Sequence, residues 1–505
     1  MCVDNHPVTD IMSTSGTKGW RELRHHLGAQ EDRGELIRFL CAATGYEPLP
    51  HQLRAHLAYA PGEGAISHKL ILGGIGSGKS YWGACETIAL AIANVGCDLA
   101  VLAPTYDQIM HVIVPTLREL FDSMARRGYP LARKWSASKS CFELVGGGRL
   151  YARSYSRCDS IRGFTLCAVH LDETSMARRP AYVFDTLVGR LRDRRANKLQ
   201  IHVTTTPRGL QGVVAKFVQH RHNALELSPE RASFERRAWW VGRAPTMANT
   251  HLPAGYIESL KAGYSRRQWE QEVEAKVFMR PEGPVYPEFS RDRHLRPHRY
   301  DPAIGDYDLA IDWGYRHPAV LFIQRIPGTQ DAVVFDEFVR DGVTRDHLRA
   351  YIRHACGQLG RDPANIAADR ASKDQNQWCV ATFPGSRLHV MRSRASQAIL
   401  HGVERVRTML DPVERAPLLY VATHLADADE PRGIVRSFES YRYKKRADGM
   451  VSSEPHHEAL ASHAMDAIRY WVVGCGSEER QAFDFERNHG ARSRRGAFER
   501  PRTAY

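Results

Sequence analysis

The chain has 505 residues, 43% of them apolar, and 70 Lys and Arg against 57 Asp and Glu leave a formal charge of +13 with a pI near 9.3. That length exceeds one ordinary hydrophobic core and asks for two or three domains, while no run approaches the roughly 18–20 apolar residues of a membrane-spanning helix. The ten cysteines include no Cys-x-x-Cys pair, which argues against zinc ribbons and a disulfide framework and for a reducing cytosol, and the basic excess favours a polyanionic partner, most simply nucleic acid.

Residues 1–45 read as a lead-in that becomes helical around Glu35-Leu36-Ile37-Arg38-Phe39-Leu40, and Met1 to Gly19 has no secretory-signal pattern. Pro48-Leu49-Pro50-His51-Gln52 follows. The Gln52 amide both donates and accepts, which suits the two edges of an adenine, although alone it also reads as a solvated helix start. The next stretch organises the rest. Leu70-Ile71-Leu72 is a buried-strand run, Ser80 to about Asn94 is a helix, and Gly73-Gly74-Ile75-Gly76-Ser77-Gly78-Lys79-Ser80 between them satisfies G-x-x-x-x-G-K-[ST]. Its glycines let backbone N–H groups turn toward a polyphosphate at a helix N-terminus. Lys79 then reaches the β- and γ-phosphates of ATP, and the Ser80 hydroxyl ligates Mg²⁺.

Leu99 to Ala103 is a second buried strand, and Phe142-Glu143-Leu144 with Arg149-Leu150-Tyr151-Ala152 flank three glycines as a hairpin. Leu166 to Leu171 runs into Asp172-Glu173. Downstream of a P-loop, an apolar strand tipped by this pair supplies an Asp to order Mg²⁺ and a Glu to polarise the attacking water. Leu199 to Val203 ends in Thr204-Thr205-Thr206-Pro207, either hydroxyls that sense the γ-phosphate or a Thr-rich turn. Arg162 is the candidate arginine supplied to a neighbouring subunit's γ-phosphate, with Arg153 and Arg157 as rivals. Strands alternating with helices predict a parallel sheet with the site at its carboxyl ends.

Pro207 to about Tyr300 reads as a connecting segment with a few helices, among them Arg266 to Val277. Tyr307 to Asp312, Ala319 to Gln324 and Ala332 to Phe338 then follow in quick succession, an antiparallel meander opening a mixed α/β domain. Asn365 to Asp369 is a further strand tipped by Asp, and a last helix carries His463-Ala464-Met465-Asp466. Asp312, Asp369 and Asp466 are expected to converge as hard oxygen ligands for Mg²⁺ or Mn²⁺, the chemistry of phosphodiester cleavage. His463 lies one helical turn from Asp466, either touching a metal-bound water or the scissile phosphate or simply packed, and Glu337 is a lesser ligand candidate. Tyr441 to Arg446 begins a basic hairpin, and the arginine-rich tail after Gly476 is expected to be disordered.

Taken together, these pieces resemble the large terminase subunit of tailed bacteriophages. The resemblance runs from about Pro48 to Trp471 and rests on Pro50-His51-Gln52, the octet, Ala103-Pro104-Thr105-Tyr106, Ile161-Arg162-Gly163-Phe164-Thr165, Leu171-Asp172-Glu173, Thr204-Thr205-Thr206-Pro207, Asp312, Asp369 and His463-Ala464-Met465-Asp466-Ala467. It implies an α/β fold in two parts, an additional-strand, conserved-glutamate P-loop ATPase on a mainly parallel sheet and an RNase H-like mixed α/β nuclease. The expected divisions are a lead-in at 1–45, an ATPase core at 46–210, a linker and lid region at 211–300, the nuclease at 301–475 and a basic tail at 476–505. It further implies adenine at Gln52, water activation by Glu173, a trans finger at Arg162, metal at the three aspartates, double-stranded DNA, a portal protein and a small terminase subunit as partners, a ring (typically a pentamer), and action in the host cytoplasm. Two other readings stay open. A helicase or repair translocase would carry a second RecA-like domain after Thr206, and a nucleotide-gated DNA-binding scaffold would release no phosphate.

Overall fold

The computed structural model describes residues 20, 33–58, 66–209, 212–223, 238–278, 284–314, 317–370, 373–391, 396–426, 433–445, 451–456 and 461–475. Most of the lead-in, the tip of the basic hairpin and the tail from 476 lie outside the described residues. The chain divides into two compact units, Met1–Ile257 with Trp269–Arg280, and Glu258–Gln268 with Pro281–Tyr505. Among the described residues no helix is long and apolar enough to cross a membrane.

In the first unit α1 (Arg33–Thr44) and α2 (Pro50–Leu57) precede β1 (Ile66–Gly73), α3 (Lys79–Ala93), β2 (Leu99–Ala103) and α4 (Val114–Arg126). There follow β3 (Ala132–Ser136), β4 (Cys141–Leu144), β5 (Arg149–Ser154), β6 (Ala168–Asp172), α5 (Pro180–Val188), β7 (Leu199–Thr205), α6 (Gly212–Asn223) and β8 (Trp239–Ala244). The eight strands form one sheet in the order β3-β4-β5-β2-β6-β7-β1-β8. Every pair from β5 to β8 is parallel, and β3-β4-β5 is an antiparallel edge. Parallel strands covered on both faces must be apolar throughout, which is why β2 and β6 are buried at every position. β7 stands between the P-loop strand β1 and the Asp-Glu strand β6, which is the additional strand the resemblance implied. Helix α3 buries all but two of its side chains, with Ile88, Leu90 and Ile92 in the core beside Leu36 and Leu40 of α1 and Leu117 and Leu120 of α4. Each such fully buried aliphatic side chain contributes about 1.5–3 kcal/mol.

The connecting segment holds one element its sequence does not announce. Trp239–Ala244 joins the sheet as β8, parallel to β1 from His68↔Trp239 to Gly73↔Ala244. Its partner is remote in sequence, and the indole of Trp239 is stacked on His68 at 3.9 Å.

The second unit is built on β9 (Leu295–Arg296), β10 (Tyr307–Asp312), β11 (Ala319–Arg325), β12 (Ala332–Val339), α7 (Arg345–Leu359), β13 (Asn365–Ala368), α8 (Lys373–Thr382), β14 (Arg387–Val390), α9 (Ser396–Leu410), β15 (Leu419–Ala422), α10 (Ile434–Ser440), the short pair β16 (Tyr443–Lys445) and β17 (Val451–Pro455), and α11 (Ser462–Gly474). Its seven-stranded sheet runs β14-β13-β10-β11-β12-β15-β9. β10, β11 and β12 form the expected antiparallel meander, while β13 and β14 lie parallel to β10. This mixed order is the RNase H-like arrangement, and it differs from the parallel sheet that a second RecA-like domain would require. One face is covered by α7 through Leu348, Ile352 and Cys356, the other by α9 and α11 through Val403, Val406, Met465 and Ile468.

Candidate functional site: a P-loop centre and a carboxylate centre

The octet lies where β1 ends and α3 begins. Gly76 and Gly78 have φ of +71° and +80°, a left-handed conformation that costs glycine little, and Gly78 is the N-cap of α3. The loop therefore turns at the positive end of the helix, with the Gly74 and Ile75 N–H groups donating to Ala244 O at 2.9 Å and Glu272 O at 2.7 Å. Lys79 Nζ lies 2.9 Å from Glu173 Oε1. Asp172 Oδ1 accepts from Ser80 Oγ at 2.9 Å and from Thr204 Oγ1 at 2.6 Å, so the ends of β6 and β7 and the start of α3 share one hydrogen-bonded carboxylate. Burial, then the neighbouring Glu173, pushes Asp172 up to about 6, against the two hydroxyl donors and Lys79. A buried carboxylate beside another is a place where a cation relieves charge, so Ser80 and Asp172 suit a hard divalent ion.

Glu173 has φ +50° and ψ 48°, an uncommon conformation for a side-chain-bearing residue. Its N–H donates to Thr204 O at 2.6 Å and its Oε2 accepts from Thr206 N at 3.1 Å. The tip of β7 thus holds Glu173 at both ends, giving the threonine run a role that its sequence left open. The Thr204 hydroxyl has one proton, directed at Asp172. His170 Nε2, 2.8 Å from the same oxygen, must therefore be the N–H donor. Burial, then the neighbouring His202, holds His170 well below the ordinary imidazole value, which fixes it as neutral. His170 was missed from sequence, and its one signal there was an imidazole inside an otherwise apolar strand.

Gln52 is placed differently from the sequence expectation. Its Oε1 accepts from Leu49 N at 2.8 Å and from Tyr46 Oη at 3.0 Å, and its Nε2 donates to Gly78 O at 3.0 Å. With both edges of the amide engaged and the residue 3% exposed, Gln52 here is a strut from α2 to the P-loop instead of a reader of adenine. His51 Nε2 reaches Ser77 O at 3.2 Å from the same helix turn. Two further P-loop carbonyls are held by residues of the connecting segment, Ile75 O by Thr246 Oγ1 and Gly76 O by Asn249 Nδ2, each at 2.7 Å. No sequence motif marks either.

Arg162 is exposed, with Nε 2.8 Å from Asp159 and a hydrogen bond to Tyr182 Oη, and among the described residues no hydrogen bond or ion pair joins its side chain to its own P-loop. Arg153 is occupied by the carbonyls of Lys139, Ser140 and Ala152. Arg157 is exposed.

In the second unit Ile311 pairs with Ala368 across parallel strands, so Asp312 and Asp369, one residue further on, emerge side by side at the same sheet end, about 4.8 Å apart in strand spacing. Asp466 comes from α11, which Trp471 Nε1 anchors to β10 through Asp308 Oδ2 at 2.9 Å. His463 Nδ1 lies 2.6 Å from Asp312 Oδ2, and Arg469 lies 2.6 Å from Asp466 Oδ1. Burial raises the Asp312 carboxyl, the His463 hydrogen bond opposes this, and the negative charges of Asp466 and Asp369 raise it further. The three carboxylates therefore share one electrostatic neighbourhood. Among the described residues, however, no three His, Cys, Asp or Glu side chains are already spaced to hold an ion. Asp312 is turned to His463 and Asp466 to Arg469. The donor set of crowded carboxylates still fits Mg²⁺ or Mn²⁺. Glu337 is not directed there, because its Oε2 accepts from Ile434 N at 2.7 Å at the start of α10.

Residues 70–292 match the family described as terminase large subunit, T4likevirus-type, N-terminal. Similar solved structures include the large terminase of a thermophilic bacteriophage (15% identity, 84% of this chain and 98% of that chain, TM-score 0.48) and that of bacteriophage HK97 (13%, 85% and 95%, TM-score 0.35). The nuclease domain of the bacteriophage SPP1 large terminase, solved with bound Mn, is 16% identical over 37% of this chain and 96% of that chain, with a TM-score of 0.27. No curated protein matches the chain. The matched segment carries the P-loop, the Asp-Glu strand and the threonine tip that holds it, so this part of the chain is similar to the N-terminal part of terminase large subunits.

Proposed function

We propose that the chain is an ATP-driven double-stranded DNA translocase that fills a procapsid, with a fused metal-dependent endonuclease that cuts concatemeric DNA. The observation that carries the motor half is the Glu173 carboxylate, positioned by the β7 tip and set 2.9 Å from the P-loop lysine. Backbone N–H groups of Gly76 to Ser80 cradle the phosphates, and Lys79 exchanges Glu173 for the β- and γ-phosphate oxygens. Freed from Lys79, Glu173 accepts a proton from the attacking water. Ser80 and Asp172 would hold Mg²⁺, which would supply positive charge opposite the phosphates. The Thr206 N–H follows Glu173, so loss of the γ-phosphate is transmitted to β7. Arg162, exposed and not bonded to its own loop among the described residues, serves a neighbouring subunit in a ring, which we read as a pentamer on a portal protein in the host cytoplasm, supplied with DNA by a small terminase subunit.

In the second unit Asp312, Asp369 and Asp466 would hold Mg²⁺ or Mn²⁺, which would supply the Lewis-acid chemistry of phosphodiester cleavage. His463 orients Asp312. The test separates the halves. Glu173→Gln should abolish phosphate release while plasmid nicking persists, and Asp312→Ala or Asp369→Ala should abolish nicking while ATP turnover persists. Nicking that survives in the Asp312→Ala/Asp369→Ala double variant would remove the nuclease assignment, and turnover that survives Glu173→Gln would remove the catalytic glutamate.

A further inference from the structure

Helix α7 buries Leu348, Ile352 and Cys356 and carries Arg345, Arg349 and Arg353 at i, i+4 and i+8 on one face, the first and last exposed and Arg349 half-buried. Trp378 of α8 is close to the last two, with the Arg349 guanidinium 5.6 Å and the Arg353 guanidinium 5.8 Å from its ring centroid. A guanidinium packed on an indole is held in place while its N–H groups remain open to anions. Arg349 Nε donates to Gln375 Oε1 at 2.9 Å and its Nη1 lies 3.6 Å from Asp346. Arg353, and Lys373 at the start of α8, have no carboxylate within ion-pair distance among the described residues.

This face connects to the carboxylate centre through ordered contacts. The Trp378 ring meets the Trp313 ring edge-on at 6.1 Å, and Trp313 directly follows Asp312. Trp313 Nε1 donates to Asn376 Oδ1 at 3.3 Å, and Asn376 Nδ2 donates to Asp369 O at 2.9 Å. One short helix, α8, thus carries both the aromatic platform under the arginines and the side chain that holds the backbone of Asp369.

We infer that the Arg349–Arg353–Trp378 face is a track for the sugar–phosphate backbone of duplex DNA and leads one strand to Asp312 and Asp369. The inference rests on the nuclease reading of that centre. The charge of Arg353 and Lys373, which no carboxylate matches among the described residues, beside an Arg349 paired only loosely with Asp346 at 3.6 Å and on a chain of net charge +13, favours a polyanion, and a planar fork suits phosphate oxygens.

The test compares the full chain with R349E/R353E, and with Arg353→Gln alone, an exposed change chosen to spare the fold. Three quantities are measured: Mn²⁺-supported plasmid nicking, hydrolysis of bis(4-nitrophenyl) phosphate, and duplex binding across a salt series. The expected result for R349E/R353E is a loss of nicking kcat/KM of about tenfold or more, with small-diester hydrolysis within twofold of wild type. The slope of log affinity on log salt should fall by about 1–2, at about 0.9 per phosphate contact. Arg353→Gln should show the same pattern at roughly half the slope change. Unchanged nicking efficiency with an unchanged slope would overturn the track, as would an equal loss of small-diester hydrolysis. A wild-type chain that cleaves neither substrate would defeat the nuclease reading instead, and the salt slope would still decide the track.

Discussion

Lys79 Nζ and Glu173 Oε1 lie 2.9 Å apart, joining the residue that would grip the nucleotide to the residue that would activate water. Nucleotide and Glu173 therefore compete for one ammonium. Removing the carboxylate in Glu173→Ala should tighten ATP binding about fivefold, the change expected from losing a competitor worth roughly 1 kcal/mol, and should cut turnover at least about 100-fold. Fluorescent-nucleotide titration alongside phosphate release checks both; weaker binding would show that the pair supports the loop instead of competing for it.

Gln52 braces the P-loop through Gly78 O. In Gln52→Ala the carbonyl loses its donor and Leu49 N and Tyr46 Oη lose their acceptor, a cost of about 1–3 kcal/mol for buried polar groups left unpaired. The expected signature is reduced thermal stability with weaker binding of ATP and GTP alike. Selective loss of ATP would restore the base-reading role.

Gly83 on α3 faces His170, where an added Cβ would lie 2.3 Å from two ring atoms. Helix propensity alone predicts that Gly→Ala stabilises by about 1 kcal/mol. Here His170 is buried and stacked on His202 at 4.7 Å, so it has little room to yield. Gly83→Ala should instead destabilise by about 1–3 kcal/mol and lower ATP turnover by displacing the donor to Thr204. A higher melting temperature with normal turnover would contradict this.

Beneath the loop, Glu86 of α3 is fully buried among Arg33, Lys69 at 2.8 Å, His56 at 2.6 Å and Gln200 Nε2 at 2.6 Å. Burial raises the Glu86 carboxyl, but Arg33, Lys69 and His56 outweigh it and hold it well below the carboxylate range. Burial lowers Lys69 from 10.5 to about 7, against the pull of Glu86 and with a further push from Arg33. With the folded value below the unfolded one, the unfolded chain carries the extra proton between about 7 and 10.5, so stability rises with pH across that window. Urea midpoints at pH 7 and 9.5 should show wild type gaining on Lys69→Met, and parallel pH profiles would refute it. Glu86→Gln leaves the buried Arg33 without its anion and should cost about 3–5 kcal/mol.

His463 is the partner of Asp312 rather than a bystander. His463→Ala should raise the Mn²⁺ concentration needed for half-maximal nicking by about 10–100-fold, the usual effect of losing a residue that orients a metal ligand, while ATP turnover stays normal. An unchanged metal requirement would return the residue to a packing role.

The sequence by itself determined the features whose chemistry is local. A glycine-rich loop between a strand and a helix, carboxylates at strand tips and rapid antiparallel strands are written within a few residues of one another, and the P-loop, Asp172-Glu173, the meander and the tips at Asp312 and Asp369 all lie where that pattern put them. Tertiary structure alone decided which groups those residues face. Gln52 turned to Gly78, Glu337 to the start of α10, Trp239–Ala244 into the sheet and Arg353 onto Trp378. Each depends on register and rotamer between segments far apart in the chain, and a buried amide or carboxylate takes the nearest satisfying partner that packing provides, whatever its neighbours in sequence suggest.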